Sequence, residues 1–221
     1  FTGWYTGAGV LLIDAYGNFC PSSDTGLYFR SENGTTRWIW SGNLTLSARW
    51  ELGEGVATYA DLLAALSGEP GEPINVSATI TVPADAEING NGHTINNQAY
   101  ADVDALDPVF EFAGSATVRN LTIVNSIDGG DLRPAYPITL ENVTLEGAGL
   151  MLNAGGTLTD CTLTGAKLPL WTNGPTLMRN CSVDGAHEES TVSVQVSGAT
   201  LVMENCSVTN GGGRGVYVYE S

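Results

Sequence analysis

The chain has 221 residues and a formal net charge of −16, with 8 Lys and Arg side chains against 24 Asp and Glu. No Lys or Arg run exists to neutralise phosphates, so nucleic acid is excluded as an expected partner. No apolar run approaches the roughly 20 residues that a membrane-spanning helix needs. The charged fraction of 14% and the 28 glycines favour an all-β fold.

Residues 1–51 are predicted to form a separate aromatic-rich β module. Short alternating segments at 10–14, 26–30, 36–40 and 44–50 are typical of strands. Between two of them stands Asn33-Gly34, a strong hairpin signal. The sequence therefore predicts a small antiparallel module with a turn at this dipeptide.

Two motifs bound this module, Phe1-Thr2-Gly3-Trp4-Tyr5 at its start and Thr45-Leu46-Ser47-Ala48-Arg49-Trp50 at its end. They resemble the second half of the Listeria–Bacteroides (internalin B-type) repeat, whose first half is missing here. The resemblance covers about a quarter of the chain. It implies a partial β-grasp-like spacer module in a bacterial protein that is secreted or held at the cell surface, and it implies no catalysis.

Residues 52–73 are predicted to hold a linker and a short helix. Thr58 followed by Asp61 is a variant capping box, and Tyr59, Leu62, Leu63 and Leu66 form an expected apolar face. A helix of two turns needs a surface to cover. We expect it to cap a solenoid end; a simple interdomain helix is the alternative.

Residues 74–221 carry a repeat that predicts a right-handed parallel β-helix. The pattern is apolar, any residue, Asn or Asp, apolar, Thr or Ser, apolar, and the steps between its corner residues are 22, 18, 20 and 25. Stacked rungs place these residues in one file, with side-chain amides bonded from rung to rung. The corner residues are Asn120, Asn142, Asp160, Asn180 and Asn205. We expect the side chain of Asp160 to point inward.

The first rungs are expected at 74–76, 78–82 and 86–90, followed by Gly92-His93-Thr94-Ile95. The run from Ile80 to Ile95, which contains Asn-Gly-x-Gly-His-Thr-Ile, resembles the opening of right-handed parallel β-helix proteins of the pectate-lyase-like superfamily. His93 is expected to be a structural turn residue. Residues 97–108 are predicted to bulge from a rung, and 211–219 to begin another strand. Because the chain opens on Phe1 and stops on that strand, we expect a longer natural protein.

Three of the four cysteines occupy one repeat position, the apolar one after the corner. Cys161, Cys181 and Cys206 are therefore predicted to stack inward as free thiols, with one disulfide as the alternative. Cys20 is then a lone cysteine in the first module. A zinc site is not expected, because His93 and His187 do not share a ligand spacing with this file.

Candidate ligand-binding residues lie in the loops between the rungs. The aromatic residues Trp171, Tyr100 and Tyr136 are candidates for stacking on sugars, and His187 lies in an acidic loop as a weaker candidate. Asp102, Asp104 and Asp107 are weak calcium candidates, because they lack the spacing of a calcium loop. Asp128, Asp131 and Arg133 form a second polar turn. Lys167, the only lysine, is an unpromising isopeptide candidate.

No catalytic set emerges from these residues, and we expect no required cofactor. The first functional hypothesis is a non-catalytic segment of a bacterial surface or secreted protein, in which a spacer precedes a β-helix for adhesion or glycan binding. Its partners are then host or microbial glycans or surface proteins. The alternative is a carbohydrate-active β-helix enzyme, a polysaccharide lyase or glycoside hydrolase. Its active face then lies on residues 97–108 and 185–190, or on rungs outside the chain.

Overall fold

The computed structural model describes residues 3–6, 10–14, 18–20, 28–32, 35–49, 55–102, 105–125, 131–185, 192–210 and 213–219. The chain divides into two compact units, Phe1–Gly53 and Glu54–Ser221. The predicted module boundary after residue 51 lies two residues before this division. No helix in the described ranges is long and apolar enough to cross a bilayer.

The described residues of the first unit form five short strands. They are β1 (Gly3–Thr6), β2 (Leu11–Asp14), β3 (Phe29–Glu32), β4 (Thr35–Trp38) and β5 (Leu46–Arg49). Strand β1 pairs antiparallel with both β2 and β5, and Leu12 of β2 is fully buried. Strands β3 and β4 pair antiparallel, with Glu32 opposite Thr35, and the predicted turn dipeptide Asn33-Gly34 lies outside the described residues.

Helix α1 (Tyr59–Leu66) begins as predicted. The hydroxyl oxygen of Thr58 accepts the backbone N–H of Asp61 at 3.2 Å and satisfies one of the unpaired donors of the first turn. Leu62 and Leu66 are buried in the β-helix core, which confirms the cap. Leu63 was wrongly predicted to share this face; its side chain is 40% exposed.

The second unit is a right-handed parallel β-helix of about six turns, as the repeat predicts. Its first strands, up to the first complete rung, are β6 (Ile74–Val76), β7 (Ile80–Val82), β8 (Ala86–Asn89), β9 (Thr94–Asn97), β10 (Tyr100–Asp102), β11 (Ala105–Leu106), β12 (Phe110–Phe112) and β13 (Ala116–Asn125). The later strands are β14 (Ile138–Glu146), β15 (Leu150–Leu152), β16 (Gly156–Thr159), β17 (Thr162–Thr164), β18 (Leu170–Thr172), β19 (Thr176–Arg179), β20 (Ser182–Asp184), β21 (Val192–Ser197), β22 (Leu201–Glu204), β23 (Ser207–Thr209) and β24 (Arg214–Tyr219).

Three stacked faces enclose the core. Strands β8, β16, β19 and β22 with the first halves of β13 and β14 form the face before the corner residue. The second halves of β13 and β14 form the face after it, with β6, β9, β17, β20 and β23. The third face contains the ladder β15-β18-β21-β24 and the pair β7-β12. The predicted bulge at 97–108 carries its own antiparallel pair, β10 and β11.

The corner residues share the left-handed backbone conformation, with φ between 52° and 55°. Asn tolerates this region better than most side chains, which explains its recurrence. The amide file exists, and it begins one rung earlier than predicted because Asn120 donates to Asn89 at 3.0 Å. The inward expectation for Asp160 is wrong, because its side chain is exposed and accepts the amide of Asn180. The left-handed corner turns this whole file outward.

The thiol file is confirmed. Cys161 and Cys181 are buried, Cys206 is half-buried, and all three are free. The backbone N–H of Cys161 points to Sγ of Cys181 at 3.5 Å, and that of Cys181 points to Sγ of Cys206 at 3.4 Å. Each thiol therefore lies over the next, where earlier rungs bury Leu121 and Val143.

Two side chains tie the cap to the first rungs. Nδ2 of Asn91 donates to the Leu66 carbonyl at 2.7 Å, and Nε2 of His93 donates to the Gly68 carbonyl at 3.1 Å. His93 is 5% exposed. Its contacts agree with the structural role expected of it.

Candidate ligand-binding groove

The outward side chains of the third face form a row along the β-helix axis. Leu150, Leu170 and Val194 point inward and are almost fully buried. The residue after each of them points outward, because side chains alternate along a strand. Strand pairing places these outward residues in register, and we call them the outer row: Met151, Trp171, Gln195 and Tyr217.

Trp171 is one of the two aromatic rings of the outer row and is held in place. Its indole N–H donates to the hydroxyl of Ser197 at 3.2 Å. The side chain is half-buried, so part of it faces solvent. A ring fixed before binding loses little conformational entropy when a ligand arrives.

Tyr217 and Gln195 are held by similar local contacts. The guanidinium of Arg214 lies 4.3 Å from the ring centroid of Tyr217, within the range of a cation–π contact. Nε2 of Gln195 donates to the hydroxyl of Tyr219 at 3.4 Å, and the rings of Tyr217 and Tyr219 are 5.6 Å apart. The row therefore ends in a patch of two rings and a cation.

A small concavity of about 150 Å³ lies beside Trp171 and Met151. On its other side, the Asp131 carboxylate accepts the backbone N–H of Gly149 at 2.9 Å and pairs with Arg133 at 3.1 Å. A Cβ on Gly149 would lie 2.8 Å from that carboxylate oxygen, so only glycine allows this approach. Asp131 thus holds the guanidinium of Arg133 at the edge of the concavity.

A larger cleft of about 440 Å³ continues from Arg133 toward the N-terminal end of the β-helix. Asp107 and Glu111 supply two carboxylates to its lining. Thr79, Pro108, Phe110, Phe112 and Ala135 complete it. Arg133 lines both concavities, and Met151 and Trp171 of the outer row line the smaller one. We call the two concavities and the outer row together the axial groove.

The axial groove brings together only some of the residues that the sequence suggested. Trp171 lies in the outer row, and Asp107 lies in the cleft. Tyr136 is 45% exposed and does not line the cleft or the concavity. Tyr100 and Asp102 lie in strand β10, with side chains outside what the structure describes, and Asp104 and His187 lie outside the described residues altogether.

Calcium binding at the three aspartates stays an untested expectation. Among the described residues, no three His, Cys, Asp or Glu side chains converge as a metal site would require. Two of the three predicted ligands lack described side chains, so the structure does not test this prediction. The chemistry visible in the groove is aromatic stacking, hydrogen bonding and one ion pair.

Gln195 and Tyr217 were not identified from the sequence as site residues. A usable signal exists for the outer row, because Met151 and Trp171 each lie nine residues before a corner residue, and Gln195 lies ten before one. No corner residue follows Tyr217 in the sequence, so its position in the row cannot be found by counting residues to the next corner. Only the pairing of β21 with β24 places it beside Gln195.

The thiol file contributes no accessible chemistry to the groove. A hydrogen bond with Cys181 and burial together raise the pKa of the Cys161 thiol above its ordinary value. A protonated buried thiol behaves as a small apolar group. We therefore assign the file to the core.

Another groove, of about 400 Å³, crosses the face before the corner. Its lining includes Thr117, Thr139 and Thr157, the carboxylates Asp85 and Glu87, and no aromatic side chain. It lacks the rings that make the axial groove a binding candidate. We therefore base no function on it.

Fold and groove together define the second unit as a parallel β-helix with an aromatic outer row. No family model, curated protein or solved structure matches the chain. The function must therefore be argued from the groove itself.

Proposed function

We propose that the chain is a non-catalytic segment of a bacterial surface or secreted protein, a spacer followed by a glycan-binding β-helix. The observation that carries the proposal is the outer row, in which Trp171 and Tyr217 offer fixed rings on one exposed face. Aromatic side chains combine a large apolar surface with little entropy to lose, and sugars present apolar ring faces edged with hydroxyls. The motifs at residues 1–51 support the extracellular setting and the spacer role.

The net charge of −16 is compatible with this setting. Acidity keeps a protein soluble and gives no affinity for nucleic acid, so glycans or other surface proteins are the partners that we propose. Glycans are favoured over proteins because the two concavities are small, about 150 and 440 Å³, and are edged with polar groups. Protein interfaces instead bury larger continuous patches.

The proposal is tested by a glycan array probed with the intact chain. The matched variants are Trp171→Ala in the outer row and Tyr136→Ala outside it. We expect binding to at least one glycan that Trp171→Ala abolishes and Tyr136→Ala leaves unchanged. The proposal fails if no glycan binds, or if both variants bind as the unaltered chain does.

A carbohydrate-active enzyme is the second candidate, and one observation favours it. Asp107 and Glu111 line the same cleft, and glycoside hydrolysis needs two carboxylates on either side of the scissile bond. Asp107 also belongs to one of the segments, 97–108, that the sequence assigned to an active face. Reducing-end and unsaturated-product assays on pectin, alginate and host glycans, with and without calcium, test this function. Turnover lost in Asp107→Asn and Glu111→Gln would favour the enzyme over a binding module.

A further inference from the structure

The outer row fixes the direction in which a ligand must lie. Its members occupy equivalent positions on successive rungs, which are about 4.8 Å apart along the axis. Trp171 and Tyr217 are two rungs apart, a separation of about 9.6 Å along the axis. A ligand that contacts both rings must therefore be extended and must run parallel to the axis.

The residue between the two rings supplies a hydrogen-bond acceptor. Nε2 of Gln195 already donates a hydrogen bond to the hydroxyl of Tyr219. Its carbonyl oxygen accepts no hydrogen bond from the described residues, so it remains for a hydroxyl of the ligand. The order along the row is thus ring, amide, ring, which matches a chain that presents apolar faces and hydroxyls in alternation.

Charge in the groove restricts the class of glycan further. A chain that lies on the outer row and continues past Arg133 enters the cleft lined by Asp107 and Glu111. Of the two cations beside the groove, Arg133 is already paired with Asp131, and Arg214 lies over the ring of Tyr217 at the far end of the outer row. A uronate chain would bring carboxylates beside these two acids on a protein of net charge −16, and like charges at close range lower affinity.

We propose that the axial groove binds an uncharged linear glycan laid along the β-helix axis, with alternate sugar rings on Trp171 and Tyr217 and the sugar between them on Gln195. This inference rests on the proposed glycan-binding function. It adds the orientation of the chain, the register of the sugars and the absence of charge.

The experiment is titration calorimetry on the intact chain with cellohexaose, xylohexaose, mannohexaose, N-acetylchitohexaose and hexagalacturonate, and with the shorter oligomers of any neutral sugar that binds. We expect a neutral hexasaccharide to bind, hexagalacturonate not to bind, and affinity to rise steeply from disaccharide to trisaccharide as the second ring is reached. Trp171→Ala and Tyr217→Ala should each weaken binding about tenfold, and Gln195→Leu severalfold. Tyr136→Ala is the control and should change nothing.

A second pair of variants protects the test against misfolding. Ser197→Ala keeps the ring of Trp171 but frees its N–H, and Trp171→Phe keeps an aromatic face of smaller area. Both should fold, as circular dichroism will report, and both should bind more weakly than the unaltered chain. If both variants bind as tightly as the unaltered chain, a fixed ring at this position has no role in binding.

The outcomes separate this inference from the function on which it rests. Binding of hexagalacturonate that depends on Trp171 overturns the uncharged class, and dependence on Trp171 without dependence on Tyr217 or on length overturns the axial register. In both cases glycan binding stands. If none of these hexasaccharides binds but the array shows another glycan, only the inference falls. If the array shows no glycan at all, both fall.

Discussion

The side-chain amide of Asn180 donates a hydrogen bond of 3.0 Å to the carboxylate of Asp160. Every link in this file runs the same way, from an Asn amide to the oxygen of the preceding rung, as Asn142 does to Asn120 at 3.0 Å. Asp160 accepts like the other members, but an ionised carboxylate has no N–H to donate to Asn142. The amide ladder is therefore interrupted once, between these two rungs.

Replacing Asp160 by Asn should close that gap. We expect the free energy of unfolding to rise by up to about 1 kcal/mol. The new NH2 group donates a hydrogen bond to the side-chain oxygen of Asn142, where two acceptor oxygens face each other in the unaltered chain. Urea unfolding followed by circular dichroism measures the change. Glu146→Gln is the matched control, since it removes one charge from an exposed position of strand β14 without adding a ladder donor. Equal stabilisation by both variants would assign the effect to net charge.

Asn142 should be needed for its backbone conformation as well as its amide. A residue with an ordinary side chain would lose about 1–2 kcal/mol in adopting its φ of 52°. The hydrogen bond from its side-chain amide to Asn120 adds a further contribution to stability. We expect Asn142→Ala to destabilise the chain by about 2 kcal/mol, and Asn142→Gly to destabilise it by about 1 kcal/mol less, because glycine adopts this conformation freely. The urea midpoints of the two variants test this order. The reverse order would show that the corner is not strained.

The sequence predicted this corner because one residue type must recur wherever the chain enters the left-handed region. Periodicity also predicted the stack, the cap and the buried thiols, all of which depend on residues repeated every rung. Periodicity failed for Asp160, because the direction of a side chain at a corner depends on the sign of φ. The pattern of apolar residues does not predict that sign. It failed for Leu63 because that residue follows Leu62 directly and so lies about 100° away around the helix.

The groove was less predictable than the fold for a related reason. Its residues lie in segments of unequal length between successive corner residues. Because the steps vary from 18 to 25 residues, the sequence does not indicate which positions of successive rungs lie side by side. Trp171 is a candidate by residue type alone, whereas Gln195 becomes one only through the register of β21 with β18. Aromatic residue type alone also suggested Tyr136, which lines neither concavity of the groove. Composition identifies candidates, and only strand register groups them.

The four thiols should differ in reactivity in the folded chain. Cys20 and Cys206 are partly exposed, whereas Cys161 and Cys181 are buried. The raised pKa of Cys161 lowers its thiolate fraction at pH 8 below that of an ordinary cysteine, and the thiolate is the reactive form. Brief iodoacetamide treatment and peptide mass spectrometry should therefore find Cys206 alkylated well before Cys161. In urea, the two should react at similar rates.

The same shift has a consequence for stability. The pKa of Cys161 is raised in the folded state above its ordinary 9.0. The contribution of this thiol to the free energy of unfolding is therefore fully present below pH 9 and decreases as the pH rises further. We expect the free energy of unfolding to fall as the pH rises from 9 to 11, and Cys161→Val to reduce that fall. The register of β14 with β17 makes Val143 the equivalent of Cys161 on the preceding rung, so the variant should remain folded. An unchanged slope in Cys161→Val would show that other groups cause the pH dependence.

The terminal helix should contribute to stability through two leucines on one face. Leu66 is 2% exposed within the β-helix core, so truncation to Ala leaves a cavity and should cost about 2–5 kcal/mol. Leu63, 40% exposed on the same helix, is the control, and its replacement by Ala should change stability by less than about 0.5 kcal/mol. Because the two substitutions have the same effect on intrinsic helix propensity, a difference in urea midpoint isolates the packing of α1 on the first rungs. Equal effects would mean that the helix stabilises the unit only by forming, and that the end of the solenoid needs no cover.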